Sequence, residues 1–256
     1  MNRWTSFTCS VVFGLLTGQA AFAELPVPAT NFVESGVAEV AVNGAVMDIT
    51  QQTDKAVLNW QTFNIGAQNT VNVAQPAATS VVMNRIDATT GPSSILGALN
   101  ANGQVYVINP NGIVFGDGAQ VNVNTLVAAS LPISEEIFEQ GIVNAINGDP
   151  DAAFDINNPY INGELIAGQP GPVTVEQGAR IASAAGGRVI LVAPEVINGG
   201  SIEAPDGQTI LAASKDRAYV TVENNDLLRG LVVEVETGGD VTNIGSILAE
   251  RCLLYT

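Results

Sequence analysis

One phrase returns along the second half of this chain, and its spacing limits the folds the chain can adopt. Gly178-Ala179-Arg180-Ile181-Ala182-Ser183 aligns with Gly199-Gly200-Ser201-Ile202-Glu203-Ala204. Gly187-Arg188-Val189-Ile190-Leu191-Val192-Ala193 aligns with Gly207-Gln208-Thr209-Ile210-Leu211-Ala212-Ala213, a step shorter by one position, and Gly245-Ser246-Ile247-Leu248-Ala249 begins the phrase again. A period of roughly 20 with two or three short strands per unit is the signature of a β-solenoid, in which each repeat buries its apolar face only by stacking on its neighbours. A β-sandwich also uses many short strands, but sandwich strands are longer and do not recur in sequence at a fixed period.

The strand signals agree. Val71–Val73, Val105–Ile108, Val121–Val123, Val173–Val175, Val189–Ala193, Ile210–Ala213, Val220–Val222 and Val232–Val235 are short β-branched runs bounded by Gly, Asn and Asp. Runs of that length with such flanks read as strands. All are taken as coil strands, giving an all-β parallel solenoid over about residues 61–250. Residues 24–60 depart from the pattern, with bulky Phe32 and Trp60 and alternation in Val37–Val42 and Val46–Ile49. An open stack of strand edges templates aggregation, so this segment is expected to be an amino-terminal β cap. Residues 134–159 depart too. Ser134 is placed to cap a short helix with Glu135 and Glu136 in its first turn, Ile137, Phe138, Ile142 and Ile146 form a rough apolar side, and Gly148-Asp149-Pro150 ends it. This stretch reads as an excursion off the coil.

Residues 1–23 have the pattern of a secretory signal: Arg3, an apolar core from Phe7 to Leu16, and Ala21-Phe22-Ala23 before Glu24. The expected cleavage lies between Ala23 and Glu24. The apolar run is shorter than the roughly 20 residues needed to span a bilayer, and no later segment is long enough for a transmembrane helix. Cys9 falls inside the signal, so the mature chain holds Cys252 alone and no intramolecular disulfide. With 25 Asp and Glu against 9 Lys and Arg, and a net charge of −16, the chain repels backbone phosphates, which argues against nucleic-acid binding.

Between the apolar runs Val105–Ile108 and Ile113–Phe115 stands Asn109-Pro110-Asn111-Gly112. Pro110 presets φ at the second turn position and Gly112 accepts φ > 0 without steric cost. Around this corner, Asn59-Trp60-Gln61-Thr62-Phe63-Asn64-Ile65-Gly66, Val71–Pro76, Met83-Asn84-Arg85-Ile86, Pro92–Leu99 and Leu126–Ser134 follow in order. The set resembles the amino-terminal secretion domain of two-partner secretion exoproteins, the filamentous haemagglutinin family. Ala74 stands where an aromatic is usual, and the family's Asn-Pro-Asn-Leu motif is absent, which makes the chain more similar to the high-molecular-weight adhesin branch.

That resemblance implies a right-handed parallel β-helix and a role in export. The implied partner is a dedicated outer-membrane barrel with periplasmic polypeptide-transport-associated domains, with host or cell-surface glycans bound only through a region downstream. Asn84, Arg85, Asn109, Pro110, Asn111 and Gly112 are the candidate recognition residues. For Asn84-Arg85 the alternative is structural, with the Arg85 stem covering the junction of cap and solenoid. For the Asn109–Gly112 corner a rigid turn that orders the coil is the favoured reading, and Trp60 and Phe63 read as core or cap packing.

Catalysis is not expected. The chain has no histidine, the commonest general base and metal ligand. Asp206, Lys215, Asp216 and Arg217 could be cast as a polysaccharide-cleaving set, as in some parallel β-helix enzymes, but acidic residues are mostly solvated surface positions. No calcium-binding nonapeptide recurs, and no cofactor or metal is implied. At the carboxyl end Gly245–Glu250 starts another coil, and Arg251-Cys252-Leu253-Leu254-Tyr255-Thr256 leaves the phrase, so 251–256 are expected to form an off-pattern tail of a truncated frame.

Overall fold

A short strand cannot satisfy both edges of its own backbone, and in this chain each coil strand finds its partners one coil earlier and one coil later. The computed structural model describes residues 24–142, 151–163, 165–166, 168–223 and 230–256. The expected signal peptide, including Ala23, lies outside the described residues. Strands pair in parallel except at the amino-terminal end and around one hairpin.

Two strands close the amino-terminal end, β1 (Val27–Ser35) and β2 (Ala38–Asn43). They run antiparallel to the two strands of the first coil, β3 (Val46–Gln51) and β4 (Lys55–Thr62): β1 lies on β4 and β2 on β3. The cap is therefore shorter than residues 24–60. Lys55–Trp60 already pair residue by residue with Val81–Ile86 of the next coil, so Trp60 belongs to the solenoid. Its ring is fully buried, edge-on to Phe32 of the cap at 4.9 Å and to Phe63 at 5.3 Å, and the three aromatics floor the tube.

The stack then rises through β5 (Thr70–Ala74) and β6 (Val81–Ile86). Above them come β7 (Ser93–Ile95), β8 (Ala98–Ala101) and β9 (Gln104–Ile108), and then β10 (Ile113–Phe115) and β11 (Gln120–Ala129). After β11 the chain leaves the coil for a helix, α1 (Glu135–Gln140), a two-residue strand, β12 (Phe154–Asp155), and a short 3-10 turn at Ile161–Gly163. It returns at β13 (Val173–Val175), so the excursion runs well past the expected residue 159. The helix ends at Gly141, whose φ of 97° an L side chain rarely adopts. Ile146 and Gly148–Pro150 lie outside the described residues.

Above the excursion, β14 (Arg180–Ala193), β15 (Glu195–Asn198) and β16 (Ser201–Ala213) resume the stack. Here the repeat is visible as register: Arg180 pairs with Ser201 and Ile181 with Ile202, then Arg188 with Gln208 and Leu191 with Leu211. The shortening of the phrase by one position is a register shift between Ala182 and Arg188. Two runs expected as coil strands are not in the coil. They form β17 (Arg217–Glu223) and β18 (Gly230–Val235), an antiparallel hairpin with Val220 opposite Val233. The last coil is β19 (Asp240–Asn243) and β20 (Ser246–Tyr255). Arg251–Tyr255 do not form an off-pattern tail: Cys252 pairs with Thr209 and Leu254 with Leu211, because the alternation of the tail fits the pleat even where its wording departs from the repeat.

Two apolar cores result. Inside the tube, stacked rows such as Ala56, Val82, Val105, Leu126 and Val189 are buried coil upon coil. A second row, Val57, Met83, Tyr106, Val127, Ile190 and Ile210, faces out of the tube on the same strands. The two departures from the coil cover it: Leu131, Ile137, Phe138 and Tyr160 from the excursion, and Val220, Leu231 and Val233 from the hairpin. On the strands of the opposite limb an exposed amide ladder rises instead. Asn72 donates to Asp48 at 2.9 Å, Asn100 to Asn72 at 3.0 Å, Asn122 to Asn100 at 3.1 Å, and Arg180 to Asn122 at 3.4 Å.

Leu126→Ala, in the middle of the inner row, should therefore cost about 2–5 kcal/mol in urea unfolding. Asn122→Ala, on the solvent-facing ladder, should cost no more than about 1 kcal/mol in the same measurement.

Candidate functional site

The alternation of β6 sends its two candidate residues to opposite faces of one strand. Asn84 points into the tube and is buried. Its Oδ1 accepts from the Trp60 Nε1–H at 2.9 Å, and its Nδ2 donates to the Tyr106 carbonyl at 3.0 Å. The polar edge of the aromatic floor is thereby paired to the coil above.

Arg85 points outward beneath the excursion and is 2% exposed. Each guanidinium nitrogen has its own acceptor: Nε donates to Asn59 Oδ1 at 3.1 Å, one terminal amine to Glu135 at 3.3 Å, and the other to Glu34. Asn59 in turn donates to Glu34 at 2.5 Å and to the Asn31 carbonyl at 3.2 Å. Glu34 stands on β1, Asn59 on β4 and Glu135 on α1. A single side chain thus joins the cap, the first two coils and the excursion. Burial pushes the Glu34 carboxyl up, but hydrogen bonds from Asn59 and Arg85 outweigh it and the group ends below its ordinary value. Glu135 ends above its ordinary value, first through burial and then through its contact with the Glu34 carboxyl, which Arg85 only partly offsets.

The helix is held at both ends. Ser134 Oγ accepts from the Ile137 N–H at 3.2 Å at its start. At its end the Lys55 ammonium donates to the carbonyls of Phe138, at 3.0 Å, and Glu139, where the carbonyl end of the helix and its dipole favour a cation. Further along the excursion the Tyr160 hydroxyl accepts from the Ile86 N–H at 3.0 Å and donates to the Ile108 carbonyl at 2.5 Å. It bridges two coil strands whose ladder ends there, and its burial raises the phenol above its ordinary range. The same cover raises Tyr106 to about 12 through burial. Sequence reasoning missed Glu34, Lys55, Asn59, Glu135 in this role, and Tyr160. One signal was available: Lys55 is the sole Lys or Arg between Glu24 and Asn84, in a chain where cations are scarce.

The Asn109–Gly112 corner is a turn closed by the Gly112 N–H on the Asn109 carbonyl at 2.9 Å. Asn109 is fully buried. Its Oδ1 accepts from the Asn111 N–H at 2.9 Å, and its Nδ2 donates to the Gly91 carbonyl and to Ser93 Oγ, both at 3.0 Å. Asn111 donates to the Ala88 carbonyl at 2.8 Å. Those partners belong to the coil below. The corner is also tied to the coil above, through Gly171 N–H to the Pro110 carbonyl at 2.8 Å and Ile113 N–H to the Pro172 carbonyl at 3.0 Å. Gly171 and Pro172 are where the excursion rejoins the stack. Gly112 has φ 102°, and a Cβ there would lie 2.5 Å from the Pro172 carbonyl oxygen.

The remaining expected positions lie apart from this junction. Glu24 is docked on the bend after β4: its carbonyl accepts from the Gly66 N–H at 2.8 Å and its carboxylate from Asn64 at 2.7 Å. Asp216 and Arg217 are engaged at the root of the β17–β18 hairpin. Asp216 accepts from the Arg217 and Thr237 backbone, while Arg217 pairs with Asp155 at 2.7 Å and Glu236 at 3.3 Å. Asp206 sits in β16 at φ 52°.

Comparison with known proteins places this geometry. The family model described as TPS secretion domain matches residues 26–253. A heme/hemopexin-binding protein of Haemophilus influenzae (strain ATCC 51907 / DSM 11121 / KW20 / Rd) is 36% identical over 131 residues, covering 51% of this chain and 14% of that protein. Another heme/hemopexin-binding protein of Haemophilus influenzae is 42% identical over 84 residues, covering 33% of this chain and 9% of that protein. The match therefore spans a small part of either relative. The crystal structure of the HMW1 secretion domain from Haemophilus influenzae superposes with a TM-score of 0.68 at 25% identity, over 87% of this chain and 56% of that chain.

Replacing Gly112 with Val places a β-branched side chain at a positive φ and against a carbonyl. It should cost at least about 1–3 kcal/mol of stability and lower export in proportion. Thermal unfolding and secretion measured on the same variant check this. Lost secretion with unchanged unfolding would assign the corner to direct contact with the export machinery.

Proposed function

This chain belongs to the TPS secretion domain family, and from that premise we propose that it is the export module of an adhesin-like exoprotein, recognised by a dedicated outer-membrane barrel and seeding β-helix growth outside the cell. Proteins of this family reach the cell surface or the medium through the periplasm. In our reading the partner is the barrel's periplasmic polypeptide-transport-associated domains.

The observation that carries the seeding role is the change of strand direction at the amino-terminal end. There the cap strands lie antiparallel on the first coil and close it, and above it coil follows coil in parallel register. Each coil supplies backbone groups and an apolar row on which the next can stack, each addition burying area and forming ladder bonds without an external energy source. Asn84, Arg85 and Asn109–Gly112 act in export by holding the seed in one arrangement, since their polar atoms are used within the fold. The heme and hemopexin binding named for the relatives, and any binding of glycans, fall in this reading to regions outside the matched segment.

Co-expression with the cognate barrel should place the chain, starting at Glu24, in the medium, with little released when the barrel is absent. Equal release in both cases would remove the export-module reading. The purified protein should also release no reducing or unsaturated ends from pectin or alginate, with or without calcium. Turnover abolished by Asp206→Asn or Asp216→Asn would make it a polysaccharide-active enzyme instead.

A further inference from the structure

The junction around Arg85 holds one buried cation against two carboxylates that keep part of their surface in water. Glu34 and Glu135 arrive from elements far apart in sequence, β1 and α1, and bond neighbouring amines of the same guanidinium. Because those two amines share one carbon, the carboxylates they bond are drawn to the same side of the junction, where each affects the other's titration. With both ionised, the junction carries an excess negative charge and a like-charge contact, and Asn59 supplies only a neutral donor to it. Among the described residues no second cation balances the excess. Lys55 is spent on the far end of α1, Glu136 and Glu139 lie on the exposed side of that helix, and Asp87 beyond β6 adds further negative charge beside Tyr160.

We propose that Glu34, Arg85 and Glu135 form an acid-tightened latch, in which a proton shared between the two carboxylates fastens the excursion helix to the amino-terminal cap. The proton comes from solvent onto a Glu135 oxygen, which then donates an O–H bond to Glu34, while Arg85 keeps its bonds to both. The junction then holds one positive and one negative charge, and the repulsive contact becomes a hydrogen bond. The two carboxyls are displaced in the sense this requires, Glu135 upward and Glu34 downward from the ordinary value of 4.5. The signs set the window. Raised in the fold, Glu135 costs stability fully above its folded pKa, and that cost fades as pH falls through it. Lowered in the fold, Glu34 contributes stability above its unfolded value and loses it as pH falls through its folded pKa. The latch is tightest between the two folded values. The cost at neutral pH is tempered by solvent, since the Glu135 side chain is 53% exposed.

Glu135→Gln tests the latch, because an amide supplies the donated bond at every pH without the charge. Thermal unfolding of wild type and E135Q is measured from about pH 4.5 to about pH 8. E135Q should unfold a few degrees higher than wild type near neutrality, roughly 1–3 °C, and the two curves should converge toward the acid end. In wild type alone, the Phe138 amide, bonded to the Ser134 carbonyl, should gain protection on acidification relative to Leu191 in the tube. A constant difference between the two proteins across the range would overturn the proposal, as would an E135Q protein that fails to fold at neutral pH. Either outcome leaves the export reading untouched, since that reading is tested by the barrel.

Discussion

Each strand in a parallel stack gives half of its outward backbone groups to the coil below and half to the coil above, so the first coil is left with an unmatched edge. That unmatched edge governs the amino-terminal third of this protein. A buried or sticky edge must be paired or covered. Here it is paired by two strands that reverse direction, with β1 laid on β4 through bulges and β2 on β3 in strict register. Reversal matters because the cap strands pair the first coil without becoming another coil, so the edge that remains is that of β1 and β2 and not of the stack. The aromatic floor of Phe32, Trp60 and Phe63 follows from the same requirement. The end of the tube must be filled as well as bonded, and large rings fill it with few residues.

Scarcity of cations makes the placement of each one informative. Although Lys and Arg together number only 9 in the chain, Lys55 and Arg85 are both spent on one short helix, one at its carbonyl end and the other at its first residue. A helix of under two turns has no stability of its own, so its position is set by what holds it. It lies over Tyr106, Met83 and Val127, a second apolar row that would otherwise face water along the outside of the tube. A buried cation is weak evidence for stability, because desolvation offsets much of its attraction. Its use here is positional: every nitrogen of Arg85 has a named acceptor, and those acceptors come from three separate elements.

Much of the solenoid was legible because stacking imposes a repeat on the residues themselves. The phrase that returns from Gly178 at Gly199 and from Gly187 at Gly207 is the pairing of β14 with β16, down to the step where the spacing changes. What failed to show has a physical reason in each case. Val220 and Val233 alternate like coil residues, yet they pair with each other, because alternation reports a half-buried strand and does not say which neighbour it has. The bulk of Trp60 suggests a cap residue, although a large ring suits the floor of a tube equally well. Arg85 stood out in the Met83–Ile86 motif and its long stem suited the junction of cap and solenoid, but its partners left no local trace. Glu34 and Glu135 are ordinary acidic residues until folding brings them to one guanidinium. The Asn109–Gly112 corner was the opposite case, since the turn chemistry of each residue is written in its identity and Gly112 does take a positive φ.

The order in which these contacts become possible bears on export. Coil-to-coil pairing needs only one repeat of chain and can proceed as the chain lengthens, but the Arg85 junction needs Glu34 and Glu135 together, and the Asn109 corner needs Gly171 and Pro172. Long loops close slowly relative to local pairing. On the export reading proposed above, a chain leaving a pore from its amino-terminal end would form cap and early coils first and complete its cover last. Until the excursion docks, the row from Val57 to Ile190 is open to solvent and the early stack is only partly stabilised. Docking seals that row, secures the junction with the cap and rejoins the coil at the Asn109 corner, where the next turn of the stack begins. The later coils then add to a base that is fixed at its lower end and covered on its apolar side, which is the condition a growing solenoid needs if each new coil is to keep the register of the one beneath it.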